Sequence, residues 1–311
     1  MIEVRELSKH YGDVAAVDGI SFDAHKGEIL GFLGPNGAGK TTTMRILTGY
    51  LPPTAGSATV AGFDVVEESM EVRRRIGYLP ELPPLYPDMT VETYLRFVAK
   101  IKGVPSSQIR QRLEETMERT AVTHVQNTVI GHLSKGYRQR VGIAQALVHD
   151  PEVLILDEPT AGLDPKQIIE IRELITGLGG SRTVILSTHI LPEVSMTCEK
   201  VVIISNGQIV GSGTPQSLTA EMGEGGEILR AQIAGPQAEV VQLVSGISGV
   251  IDVQTEGEQS FLVTTAPGRD VRDQLSSAVV GAGYGLRGLR SQEVSLEDIF
   301  LKLTTEEGVG S

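Results

Sequence analysis

Gly34-Pro35-Asn36-Gly37-Ala38-Gly39-Lys40-Thr41 sets glycines, a lysine and a hydroxyl at the spacing of a phosphate-binding loop. The chemistry on offer is the gripping of a polyphosphate. A tight turn points successive backbone N–H groups inward only where side chains do not obstruct it, which is the use of Gly34, Gly37 and Gly39. Lys40 has the reach for β- and γ-phosphate oxygens and Thr41 offers its hydroxyl to Mg²⁺, with Pro35, Asn36, Ala38 and Thr42 in the same triphosphate-binding set. Further on, Asp157-Glu158 follows the apolar run Val153 to Leu156. Asp157 is placed to hold Mg²⁺, and Glu158 to orient and deprotonate the water that attacks the γ-phosphate. His189 ends another apolar run and is placed to reach the same phosphate and water.

Elements must bring these groups together. Glu28 to Leu33 enters the glycine turn as a buried strand, and Thr42 to Thr48 leaves it as a helix stopped at Gly49. The unbroken apolar runs at 153–156, 183–186 and 201–204 read as strands buried on both faces, so the expected fold is α/β, a mainly parallel sheet sandwiched by helices. Strands near residues 2–7 and 20–22 precede it. Arg73-Arg74-Arg75 reads as a solvated helix face in preference to a phosphate site. Pro80 to Pro87 is a proline-rich loop, and from Thr90 to about His149 the periodicity is helical throughout, a subdomain at about 90–150. Residues 221–226 read as a glycine-rich linker between an ATPase domain, 1–220, and a second domain, 227–311. That second domain reads strand 227–233, helix 236–246, strands 249–255 and 259–265, helix 268–282, strand 286–292, the split β-α-β-β-α-β order of a small α+β ferredoxin-like fold. A last helix is expected from Ser295, with Asp298 in a capping box and an apolar stripe of Leu296, Ile299, Phe300 and Leu303.

Composition narrows the partners. The 311 residues carry 39 acidic against 27 basic side chains, a formal charge of −12, which argues against a broad nucleic-acid surface. Cys198 is the only cysteine, so an internal disulfide or cysteine metal cluster is excluded and a reducing compartment is expected. The first residues lack the pattern of a secretory signal and no run is long and apolar enough to span a membrane.

Taken together, the phosphate loop, Asp157-Glu158, Leu133-Ser134-Lys135-Gly136-Tyr137-Arg138-Gln139-Arg140, Ala161-Gly162-Leu163-Asp164 and Ser187-Thr188-His189 resemble, in order and spacing, the ATP-binding subunits of ABC transporters. The stretch from 133 is similar to that family's signature, 161–164 to its D-loop, and His189 to its switch histidine. On the residues alone, Ser134 and Gly136 make an ordinary helix start, and Tyr11 suits either packing or adenine stacking. The resemblance implies that Tyr11 stacks on adenine and that two subunits face head to tail, Ser134 and Gly136 of each closing on the ATP held by the other. It further implies an integral membrane permease as partner and a peripheral position on the cytoplasmic face of the membrane. Two departures stand out: Lys135 and Tyr137 replace glycine and glutamine in the signature, and Glu81 stands where a glutamine is usual. Glu81 can still coordinate Mg²⁺ but cannot donate a hydrogen bond when ionised. These replacements, and the ending Val294 to Thr304, resemble the ABC-2 exporter branch, nearest its gliding-associated type. The expected work is ATP-driven export, with Leu85, Tyr86 and Met89 exposed on the permease-facing loop. The alternative is a soluble module in which ATP-driven dimerisation regulates a partner without transport.

Overall fold

The computed structural model describes residues 1–218, 227–266 and 268–292, which divide into one compact unit, Met1–Pro215, and a second that begins at Gln216. In the first unit, β1 (Ile2–Tyr11) and β2 (Val14–Ala24) form a hairpin turned at Gly12, longer than the short strands expected at 2–7 and 20–22. Glu6 explains the difference. Its φ of 45° and the register shifts around it break the alternation, so the buried side switches from Ile2 and Val4 to Leu7. After β3 (Ile29–Leu33) and α1 (Lys40–Leu47), β4 (Ala55–Val60) and β5 (Phe63–Asp64) complete an antiparallel sheet of order β2-β1-β4-β5.

α2 (Ser69–Arg75) leads into β6 (Ile76–Leu79). Arg73 and Arg74 are exposed, as a solvated face requires, whereas Arg75 is half-buried; Arg74 and Arg75 meet Glu71, and Arg75 also lies 4.0 Å from the centre of the Phe63 ring. α3 (Val91–Ile101), α4 (Ile109–Arg119) and α5 (Lys135–Leu147) then pack around Leu95, Leu113, Met117 and Val141, a core separate from that of the sheets. The helical pattern expected throughout this region is broken between α4 and α5. Ala121 turns left-handed at φ 54°, Val122 tucks wholly out of solvent, and single 3-10 turns follow at Thr123–Val125 and Ile130–His132. The loop before α3 differs as well. Tyr86 is 50% exposed, but Leu85 and Met89 pack against the helical core, and Leu82 is the open residue at 83%.

β7 (Val153–Asp157), α6 (Pro165–Thr176), β8 (Thr183–Thr188), α7 (Leu191–Thr197), β9 (Lys200–Ser205) and β10 (Gln208–Gly213) finish the unit. The main sheet runs β10-β9-β3-β8-β7-β6, parallel except for the edge strand β10. Every residue of β3, β7 and β8 is buried, which is why these strands read as unbroken apolar runs. Each fully buried Leu or Ile there contributes about 1.5–3 kcal/mol.

In the second unit, β11 (Ile228–Ala234), α8 (Gln237–Ser245), β12 (Val250–Thr255), β13 (Ser260–Thr265), α9 (Arg272–Gly281) and β14 (Gly285–Gln292) follow the expected split order. Its antiparallel sheet, β12-β13-β11-β14, places the first and third strands at the centre, as in ferredoxin-like folds. The linker at 221–226 and the helix expected from Ser295, with Leu296, Asp298, Ile299, Phe300 and Leu303, lie outside the described residues.

Candidate active site

Because β3, β8 and β7 are neighbours in that order, their carboxyl ends deliver the glycine turn, His189 and Glu158 to one edge of the sheet, where ligands bind in open α/β folds. A cleft of about 330 Å³ lies there, lined by Asn36, Gly37, Gly39, Lys40, Thr41, Thr42, Glu81, Glu158 and His189, together with Ala16 and Ala161. α1 opens onto it from Gly39 with no side-chain cap and no acidic residue in its first turn. Its first N–H groups and the positive end of its dipole are thus available to an anion.

The glycines serve distinct ends. A Cβ on Gly34 would stand 2.4 Å from the carbonyl of Ile204 in β9, so that glycine is required by close packing beneath the turn. Gly39, at φ 106°, combines a left-handed backbone with a similar clash against the carbonyl of Ala16, whereas Gly37 needs only its φ of 83° and faces open space. Pro35 and Ala38 belong to the frame of the turn: the Pro35 carbonyl takes a bond from Lys40, and the Ala38 carbonyl accepts from the Gly207 N–H at 3.1 Å.

Lys40 is 6% exposed and donates to the Gly34 and Pro35 carbonyls at 2.8 and 3.1 Å, with Glu158 Oε1 3.4 Å from its Nζ. Glu158 Oε2 lies 2.8 Å from His189 Nδ1. The glutamate therefore stands between a cation and an imidazole at the mouth of the loop. Its own backbone has φ 50°, a sparsely populated conformation for a non-glycine residue, of the kind that persists at functional sites where the surroundings over-determine it. Behind it Asp157 is wholly buried: Oδ1 accepts from Ser187 Oγ at 2.8 Å, while Oδ2 has no hydrogen-bond partner. An acceptor left unpaired at that depth fits a divalent cation, since hard cations take carboxylate oxygens. Tyr78 on the neighbouring strand β6 carries a phenol that burial, then the Asp157 charge, pushes up to about 12.

Other expected residues lie apart from the cleft. Tyr11 is 47% exposed at the end of β1, with Lys9 Nζ 5.6 Å from its ring. Ser134 caps α5, accepting from the Tyr137 N–H at 3.3 Å, and Gly136 is covered by the end of the Gln167 side chain; neither lines the cleft of its own chain. Tyr137, at its departure from the family pattern, meets His124 at 2.9 Å. Sequence reading gave Ser187 no role beyond its place beside His189, and it missed Glu193 altogether. The only signals were a hydroxyl at the end of an apolar strand and an acid shortly after His189, both meaningless until the strand register is known.

A glycine turn feeding a helix, a lysine within it and an acidic pair on a nearby strand of a parallel sheet define a P-loop nucleoside-triphosphate hydrolase. The sequence profile described as ABC transporter matches residues 17–161. The linearmycin resistance ATP-binding protein LnrL of Bacillus subtilis is 33% identical over 306 residues, covering 98% of both chains. The Nod factor export ATP-binding protein I of Ralstonia nicotianae is 34% identical over 310 residues, 99% of this chain and 94% of its own. A solved ATP-binding subunit of an ABC transporter superposes with a TM-score of 0.66 at 31% identity, covering 72% of this chain and 93% of that one. The chain belongs to the ATP-binding subunits of ABC transporters, which bind and hydrolyse ATP to power transport.

Proposed function

We propose that this chain powers export through a separate membrane permease, hydrolysing ATP within a head-to-tail dimer. The Nod factor export protein and the linearmycin resistance protein support the export assignment, because each matches almost the whole chain, second unit included. Among the described residues no helix is long and apolar enough to cross a membrane, so passage of cargo falls to a partner. The chain then works at the cytoplasmic face, where Leu82 and Tyr86 of the loop after Glu81 offer apolar surface to that permease.

The observation that carries the catalytic reading is the position of the Glu158 carboxylate, 3.4 Å from Lys40 and 2.8 Å from His189 in the phosphate cleft. The loop N–H groups and Lys40 hold the triphosphate. Glu158 accepts a proton from water as its oxygen bonds to the γ-phosphorus and the bond to the β–γ bridging oxygen breaks. His189 fixes the Glu158 carboxylate and faces the same water. Thr41, Asp157 and Glu81 are the residues that would hold Mg²⁺, which would supply charge neutralisation to the triphosphate. Tyr11 stacks on adenine, and Ser134 and Gly136 of a second copy cap the γ-phosphate. Glu158→Gln in the full-length chain tests this directly. Hydrolysis should fall by about a hundredfold or more, and the variant should retain ATP and run as a dimer in size-exclusion chromatography with light scattering. Hydrolysis at the parental rate removes Glu158 from the role of base.

A further inference from the structure

Glu193, the third residue of α7, is 2% exposed, and among the described residues it has no ion-pair partner. Burying a carboxylate without a cation is costly unless its oxygens are hydrogen-bonded. Here both are. Thr160 Oγ1 donates to Oε1, and Thr188 Oγ1 donates to Oε2 at 2.9 Å. The two hydroxyls belong to different segments: Thr160 lies two residues after Glu158, and Thr188, the last residue of β8, immediately precedes His189. Thr188 Oγ1 also accepts from the Ile190 N–H at 3.1 Å, which holds the far side of the histidine.

The place of this carboxylate follows from where the sheet stops. The β7–β8 ladder closes at Asp157 opposite Ser187, and one further rung joins the Glu158 N–H to the Ser187 carbonyl at 2.9 Å. Beyond that rung the backbones part, and Glu158 is left in its left-handed conformation with its side chain directed at His189. A single carboxylate on a third element then spans the gap. It ties the loop that carries the glutamate to the loop that carries the histidine.

We infer that Glu193 is a positioning residue for ATP hydrolysis, holding Glu158 and His189 in mutual register through Thr160 and Thr188. This rests on the reading of Glu158 as the base. It separates Glu193 from the nucleotide grip, because neither Glu193 nor either threonine lines the phosphate cleft.

The test uses the full-length chain with ATP hydrolysis, affinity for a fluorescent ATP analogue, and Tm measured side by side. Glu193→Gln and Thr160→Val change little volume, and Glu193→Ala is the severe variant. In Glu193→Gln and Thr160→Val, kcat should fall about tenfold or more while ATP affinity stays within about twofold, since small misplacements of a reacting group cost rate and not binding. Thr160→Ser, which keeps the hydroxyl, should restore most of kcat. The double variant Thr160→Val/Glu193→Gln should be no slower than the slower single one. A parental kcat in Glu193→Gln overturns the inference. So does a parallel loss of kcat, affinity and Tm, or full additivity of the two substitutions. Glu158→Gln in the same assay keeps the two readings apart. If that variant turns over normally the base assignment has failed, whereas a dead Glu158→Gln beside an unimpaired Glu193→Gln leaves the base standing and removes only the clamp.

Discussion

Lys40 and Glu158 keep only 6% and 8% of their side-chain surface in solvent while standing 3.4 Å apart. At that depth each charge helps to stabilise the other, and the lysine already directs its protons at the Gly34 and Pro35 carbonyls. Phosphate oxygens entering the loop compete for the same Nζ. Charge-assisted hydrogen bonds are worth about 1.5–3 kcal/mol, so Lys40→Ala should weaken ATP binding by about tenfold to a hundredfold. Titration with a fluorescent ATP analogue reads the change, and an unaltered affinity removes Lys40 from the phosphate grip. The loop and the Asp157-Glu158 pair were legible in the sequence because their spacing is local and their chemistry is fixed by residue type. The contacts of Ser187 and Glu193 were not. Their partners Asp157 and Thr160 lie 30 and 33 residues away, and only the parallel register of β7 and β8 brings them into contact.

Elements are joined as tightly as residues where the helical subdomain meets the main sheet. A Cβ on Gly77 of β6 would stand 2.0 Å from the Ala146 carbonyl, so α5 lies backbone to backbone on that strand. Just past α5, the His149 imidazole donates from Nε2 to the Ile76 carbonyl at 2.9 Å, and Lys102 at the end of α3 donates to the same carbonyl at 3.2 Å. Burial first, and the Lys102 charge second, lower the His149 pKa to about 4 against the partly offsetting bond to the Ile76 carbonyl and the Asp150 charge. In the unfolded chain the imidazole titrates near its usual value of 6.5. Between those two values the unfolded state binds the extra proton. Stability is therefore full above the upper value and falls as the pH drops toward the lower one, by about 3 kcal/mol in all. His149→Gln, which keeps a donor for Ile76, should lose less stability than the parent between pH 6.5 and 4 in denaturant titrations. Equal losses would place the acid sensitivity elsewhere. This joint was invisible in a sequence that read as helical throughout, since the turn from Ala121 to Leu133 carries apolar residues at helical spacing yet is stopped by a left-handed Ala121. Strands β3, β7 and β8 were plain because they are buried on both faces, and the β1–β2 hairpin was read short because its bulges scramble the alternation.

On the scale of the whole molecule, the chain holds one side of a nucleotide site on its sheet edge and an anion-ready helix start, Ser134 and Gly136, that does not line the same cleft. The proposed head-to-tail pairing would make two sites, each with the loop and Glu158 of one copy and the helix start of the other. Mixing two inactive variants tests that arrangement. Glu158→Gln removes the base from its own loop but leaves its signature helix sound. Gly136→Asp puts a carboxylate at the α5 start, where the atoms nearest the Cβ belong to the movable end of Gln167 and the charge opposes a triphosphate. In the mixed dimer both defects fall on one site, and the other site has a parental loop, base and helix start. Each variant alone should be nearly inert, whereas an equimolar mixture should recover about a quarter of the parental ATPase rate, because half of the dimers are mixed and each carries one sound site of two. A mixture as inactive as its parts would mean that each copy completes its own site, and the head-to-tail dimer would have to be abandoned even if Glu158 remained the base.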